Sequence, residues 1–331
     1  MNKLWGLLVL LVTIAVVATF LSYDPGVDRY TFLSGFNVEN LLRRVGMFGL
    51  LSVGAAFVIV TGGIDLSIGS VVCVAGCLLP WLVRDCAVPG APAVVLVVGA
   101  CAAIGLWQGA LVVGLRLQPF VVTLCGLLLL RGLMRAFTND QTIGFGDASA
   151  GLRWLATGRV PLAGDFGLPA PLLVLSMVAV ATAVVWQRTV WGRHLFALGR
   201  NEEAARFAGI ATGRLVVLAY VACSACAGLA GCLFVLDVNS AQASSFGSFY
   251  ELYAIAGAVL GGVALRGGEG AVLGVLLGAV LMQVLPNTIN LLADSNRLEL
   301  AVVGAVILLG AAGDEGVRRW VAWRGRGRVR G

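Results

Sequence analysis

Apolar residues fill this chain in long runs, and the polar residues gather in the gaps between them. Windows of about 20 apolar residues, the length a helix needs to cross a bilayer, predict ten spans. They cover approximately 4–22, 41–61, 66–84, 92–114, 119–137, 169–187, 215–236, 251–265, 270–286 and 298–313. The expected fold class is an all-α polytopic membrane protein, with residues 1–331 forming one transmembrane domain. Lys3 precedes the first run and no small-residue cleavage site follows it, so that run reads as a retained span and not a signal peptide. An even number of spans places both termini on one side. The arginine-rich tail at 314–331 and the polar loop at about 187–214 put that side in the cytoplasm of a cell with an inner membrane. Segments at about 23–40 and 138–168 then face outward; they carry DPG, GFG and GDFG turn signals and are too short to be domains.

The gap starting at Gln187, QRTVWGRHLFALGRNEEAARFAGIATGRL, is the one stretch polar enough to work in water. It holds five of the arginines and the only histidine, His194. Asn201 is placed as an N-cap, Glu202 and Glu203 occupy the first turn where the helix dipole favours anions, and Gly209 is a stop. The pattern predicts a short helix lying on the cytoplasmic surface, suited to touching another protein.

Composition narrows the function. With 59% hydrophobic and 12% charged residues, the chain has too few polar side chains to cover a soluble globule. A net charge of +6 would suggest nucleic acid in a soluble protein, but here the arginines sit in loops and tail, where membrane topology wants them, and no nucleic-acid partner follows. Seven of the eight cysteines lie in apolar runs without His or carboxylate neighbours at ligand spacing; Cys223 and Cys226 form a CxxC pair read as small packing residues, and only Cys86 lies near a loop. No metal site follows. Lys3 is the only lysine, so the chain has no phosphate-binding GxxxxGK[ST] loop, and any ATP hydrolysis belongs to a partner. Nothing resembles a catalytic constellation, and the chain is expected not to be an enzyme.

Among 45 glycines, two junctions break the apolar pattern: TGGIDLSIGS at 61–70 and LGGVALRGGEG at 260–270, both fitting GGxxLxxG. Each is either a tight interhelical turn or a broken-helix element beside a transport path, where irregular backbone is tolerated because it lines a cavity. Asp65, with Ser67 beside it, either N-caps the third span or serves the path. Gln283, Asn287 and Asn290 fall on nearly one helix face and either bond between helices or bind a hydroxylated solute. Gln108 on the fourth span and Phe120 on the fifth are further candidates for the path.

VIVTGGIDLSIGS, LQPFVVTLCGLLLLRGLMRAFTN, ALGRNEEAARFAGI, ACAGLAG, YELYAIAGAVLGGVALRGGEGAVLG and LPNTINLL, in this order, resemble the permease subunits of ribose-type ABC monosaccharide importers, within the branched-chain amino acid and ribose permease superfamily. The resemblance runs from about 40 to 313. It implies a permease of the ten-span class that binds no cofactor itself and works with a second permease chain, as homodimer or heterodimer. It also implies cytoplasmic ATPase subunits that use ATP and Mg, and a periplasmic binding protein that delivers the sugar. The family's ATPase-docking segment matches Gly199, Asn201, Glu202, Glu203, Ala204, Ala205, Arg206, Gly209 and Ile210. Tyr253 stands where the family usually has an acidic residue, and Gln108-Gly109 stands where it favours Asn-Gly. These departures leave open which sugar is carried and which kind of dimer forms. The alternatives are a superfamily permease for branched-chain amino acids or nucleosides, and an ion-coupled sugar carrier. The latter should place ionisable groups inside its spans, and only Asp65 and Glu251 come near.

Overall fold

The computed structural model describes residues 2–24, 29–146, 151–163 and 166–292, with a few helical residues between 300 and 308. The predicted tenth span, 298–313, lies mostly outside the described residues, and the basic tail, 314–331, lies wholly outside them. Among the described residues, six helices are long and apolar enough to cross a membrane: α2 (Gly35–Val60), α4 (Gly90–Gly114), α5 (Pro119–Thr138), α7 (Ala170–Arg188), α10 (Thr212–Val238) and α12 (Val272–Leu292). Three predicted spans form helices whose apolar stretch is shorter: α1 (Asn2–Leu21), α3 (Ile68–Arg84) and α11 (Tyr250–Leu260). Two short helices, α8 (Val190–Arg200) and α9 (Glu202–Phe207), fill the polar gap, and a single turn, α6 (Trp154–Thr157), lies toward the other end. The chain is an all-α, multi-pass membrane protein.

α10 is the central post, packed against α2, α3 and α4. Small residues set these contacts, as expected where lipid gives no hydrophobic drive and close backbone approach supplies the attraction. Gly105 of α4 lies against Tyr220 and Ser224, and Gly109 against Val217, so the two helices run antiparallel with backbones nearly touching. Burial grades outward from this post: 78% of the apolar window of α2 is buried against 22% of that of α5, so α2 is core and α5 is rim.

The same contacts locate the first glycine-rich break. Gly54 of α2 packs on Cys223 and Cys226, whereas α3 meets α10 higher up, with Val72 and Ala75 against Gly231. Following α2 down to Val60 and α3 back to Ile68 at 1.5 Å per residue, the linker 61–67 climbs about 10 Å into the bundle before α3 starts. It is a broken helix, not a surface turn.

The predicted eighth span, 251–265, is not a full crossing. α11 has 11 residues, about 16 Å at helical rise and roughly half of a bilayer's hydrocarbon thickness. Irregular backbone running through the bundle precedes it. After β6 (Ser240–Ala241) pairs with β3 (Ile143–Gly144), the chain turns inward with Ala243 fully buried. Arg131 of α5 donates to the carbonyls of Ala243 at 3.1 Å and Phe246 at 3.2 Å, satisfying backbone acceptors that lipid would leave unpaired. Gly247 then reaches the start of α3 at Gly69. Hydropathy missed this segment because its satisfaction comes from a distant side chain.

At the end of the bundle where α2 begins, two hairpins close the structure. β1 (Tyr23–Asp24) pairs with β2 (Arg29–Tyr30), and β4 (Arg159–Ala163) with β5 (Phe166–Pro169). Glu39 of α2 fastens the second by accepting from Gly167 N at 3.0 Å and from Arg159. α8 and α9 project at the opposite end.

Candidate functional site

Two sets of residues stand out: the polar projection of α8 and α9, and the buried polar side chains around the first break.

Thr189 caps α8, its hydroxyl accepting from Gly192 N at 3.3 Å. α8 buries Leu195 and Leu198, and Trp186 packs edge-on between Phe57 and Phe196 at the base of the projection. Asn201 breaks the helix with extended backbone (φ −160°) and caps the next one, its side-chain oxygen accepting from Ala204 N at 2.9 Å. Glu202 and Glu203 lie in the first turn of α9. Gly209, at φ +81°, ends the turn; its N–H donates to Arg206 O, and Ile210 N then reaches back to Ala205 O. That left-handed conformation is one glycine adopts without Cβ strain.

The surface so built is small and mixed. Glu202, Glu203, Ala204, Arg206 and Gly209 are exposed, while Ala205 is buried against the chain itself. The residue that sequence reasoning missed is Phe207, which is 87% exposed beside Arg206. Its signal was available: an aromatic inside a six-residue polar helix has no apolar face to join. Beside α9 lies a mostly apolar groove of about 660 Å³, lined by residues including Val113, Trp191, Arg206, Ile210 and Leu218.

Around the first break, Gln108 Nε2 donates to Ser67 Oγ at 2.9 Å, and Ser67 Oγ donates to Asp65 Oδ1 at 2.6 Å. Ser67 N also donates to Asp65 Oδ1, at 2.8 Å. All three side chains are buried. Asp65 is therefore not the N-cap of α3: it sits three residues before Ile68, and the groups it satisfies belong to Ser67, which occupies the cap position. It closes an Asx-type turn that holds the climbing linker. From α5, the Thr123 hydroxyl donates to Ile64 O at 3.3 Å and ties the same linker sideways. The second carboxylate oxygen of Asp65 and the buried Tyr220 and Ser224 hydroxyls of α10 have no hydrogen-bond partner within the described structure.

The remaining candidates do not join this cluster. Asn287 makes a reciprocal amide pair with Asn37, donating at 2.8 Å and accepting at 3.1 Å, so it pins α12 to the start of α2. That position lies on the order of 25 Å from Ser67 along the bundle, counted at helical rise. Gln283 is buried with an unpartnered Nε2, and Asn290 is exposed. Phe120 is half exposed on the rim helix α5. The polar side chains of α12 and the Asp65 cluster thus occupy separate levels of the molecule. Among the described residues no group of His, Cys, Asp or Glu could hold a metal ion.

This architecture, a glycine-packed bundle with broken helices and one polar projection, is that of a membrane transport component. The chain matches the family described as branched-chain amino acid transport system / permease component over residues 37–311, and it belongs to that family. It is 36% identical over 306 residues to the ribose import permease protein RbsC of Escherichia coli (strain K12), covering 92% of this chain and 91% of that one. It is 33% identical over 279 residues to the RbsC of Bacillus subtilis (strain 168), covering 84% of each. It is 30% identical to the xylose transport system permease protein XylH of Escherichia coli (strain K12), covering 96% of this chain and 94% of that one. No solved structure matches the chain. The chain is a permease, and not an enzyme.

Proposed function

We propose that this chain is the permease subunit of an ATP-driven importer that moves a monosaccharide, a pentose or hexose, delivered by an external binding protein. The observation that carries this reading is similarity along nine-tenths of the chain to permeases named for ribose and xylose. Its residues support the same chemistry: the polar side chains within the bundle are mostly neutral amides and hydroxyls, suited to a sugar's hydroxyls, whereas an amino acid would bring two charges that need compensation in a low-dielectric path. Both termini then face the cytoplasm, as does α9. A partner ATPase supplies ATP and Mg, and a second permease chain completes the path. The permease needs only weak contact with its solute, because the binding protein supplies affinity.

In this reading α9 is the ATPase-docking element and Phe207 its anchor, a ring that desolvates in a partner's pocket while Glu203 and Arg206 set register. The overall function is tested by reconstituting the chain with its ATPase and binding protein in proteoliposomes and comparing uptake of labelled ribose, xylose, leucine and a nucleoside. ATP-dependent uptake of a monosaccharide is expected; uptake confined to leucine or the nucleoside would replace sugar by that class. For docking, the double variant Glu203→Arg, Arg206→Glu should lose ATPase recovery on purification, and Phe207→Ala should weaken it by about 2 kcal/mol or more. Normal assembly and uptake in both would reduce α9 to a solvated turn.

A further inference from the structure

The two glycine-rich breaks and the end of α8 meet in one place, and the contacts there are backbone on backbone. Gly268 N donates to the carbonyl of Val60, the last residue of α2, at 2.8 Å. A Cβ on Gly199 would run into that carbonyl and into the Gly268 backbone. A Cβ on Gly267 would lie 2.8 Å from Gly62 N, 2.9 Å from Gly199 O and 2.9 Å from Val60 O, so this one residue touches all three segments. Arg200 Nε donates to Gly268 O at 3.4 Å across the same seam.

We propose that this junction of Gly199, Gly267 and Gly268 on the Val60 carbonyl is the mechanical link between the docking element and the Asp65 segment. It rests on the reading of α9 as the ATPase-docking element. One residue, Asn201, separates α9 from α8, so a displacement of α9 moves the C-terminal end of α8. Apart from Arg200, that end meets the helix breaks through backbone, and close-packed backbone passes a displacement on because it has no free volume to absorb it. The first break carries it through residues 61–67 to Asp65, Ser67 and Gln108. The second carries it into α11 and α12. Gly199, Gly267, Gly268 and Arg200 are in this sense positioning residues, acting on the path through other groups.

The test uses the affinity-tagged chain with the ATPase that copurifies with it and its binding protein, reconstituted in proteoliposomes and supplied with labelled D-ribose. The readout is ribose taken up per ATP hydrolysed, alongside the amount of ATPase recovered per chain. Gly199 falls in the segment matched to ATPase docking but is seated on Val60 and Gly268 and not on the exposed face of α9, so Gly199→Ala should retain wild-type ATPase recovery while uptake per ATP falls about tenfold or more, within the range of coupling energies between sites. Arg200→Ala, a change at an exposed side chain that leaves folding intact, should lower the ratio about two- to fivefold, as loss of one hydrogen bond implies. Arg193→Ala, exposed elsewhere on α8, should leave it unchanged. Wild-type uptake per ATP in both Gly199→Ala and Arg200→Ala overturns the proposal. If Gly199→Ala is not recovered folded, an unchanged ratio in Arg200→Ala alone overturns it. A drop explained by loss of bound ATPase also overturns it, because the seam would then serve docking and not transmission. Absence of any copurifying ATPase from the wild-type chain would mark the failure of the docking reading instead, and would remove the link with it.

Discussion

The two glycine-rich breaks share a pattern and differ in what surrounds them. In 61–67 the chain climbs into the bundle, and its one charged residue, Asp65, is buried and bonded to Ser67. In 261–271 the chain turns at the surface, and Leu265, Arg266 and Glu269 are exposed. Within the second break the glycines also differ: Gly267 is walled in by the backbone of Val60, Gly62 and Gly199, whereas Gly262, at φ +90°, has nothing within 4 Å of where a Cβ would stand. The same glycine spacing therefore makes a buried broken helix in one case and a surface loop in the other. The difference lies in the helices packed against them, α4, α5 and α10 for the first, open solvent for part of the second.

The sharpest way to break this comparison is at the glycines. Gly267→Ala combines a left-handed backbone with overpacking against the backbone of Val60, Gly62 and Gly199, and should cost about 3 kcal/mol or more, seen as a large fall in midpoint of detergent thermal unfolding. Gly262→Ala carries the backbone strain alone and should cost about 1 kcal/mol. Equal losses would show that the close approach at Gly267 is not real. Next, Asp65→Ala leaves the buried Ser67 N–H without its acceptor and removes one of the two acceptors of its hydroxyl, and should cost about 2 to 3 kcal/mol, with sugar uptake lost even in protein that folds. Asp65→Asn keeps an oxygen for Ser67 and should recover part of both. If Asp65→Ala were as stable as wild type, the linker would not depend on its turn. Asn287→Ala should cost about 1 to 2 kcal/mol by stranding Asn37, without lowering uptake per folded molecule, because that amide serves the helix seam. A selective uptake defect would return Asn287 to the path. The smallest effect is expected at the second break, where Glu269→Ala should stay within about 0.5 kcal/mol of wild type.

The helical class, the positions of most spans and the limits of α9 follow from local rules. A run of apolar residues must satisfy its own backbone in a bilayer, which makes it a helix wherever it folds. Asn201 and Gly209 act on their immediate neighbours, so a cap and a stop are readable from a few letters. That the segment at about 187–214 is a polar surface excursion followed from its charge alone.

What only the tertiary structure decided were contacts between residues far apart in the chain. Whether a GGxxLxxG stretch lies inside or at the rim depends on where α10 places α3, a register set by small-residue packing that hydropathy does not encode. The eighth predicted span, 251–265, stops at Leu260 because Gly261 and Gly262 turn the chain there, and the backbone ahead of it stays irregular because Arg131, over a hundred residues earlier in the chain, satisfies its carbonyls. Asp65 was legible as a special residue, but not as a turn acceptor rather than a helix cap, since the choice turns on a climb of about 10 Å that begins at Val60. Asn287 was legible as a polar residue in a span, while its partner Asn37 lies 250 residues away. The meeting of Gly199 with both breaks had no local signal, because a glycine records only the absence of a side chain, and what fills the space is supplied by the rest of the fold.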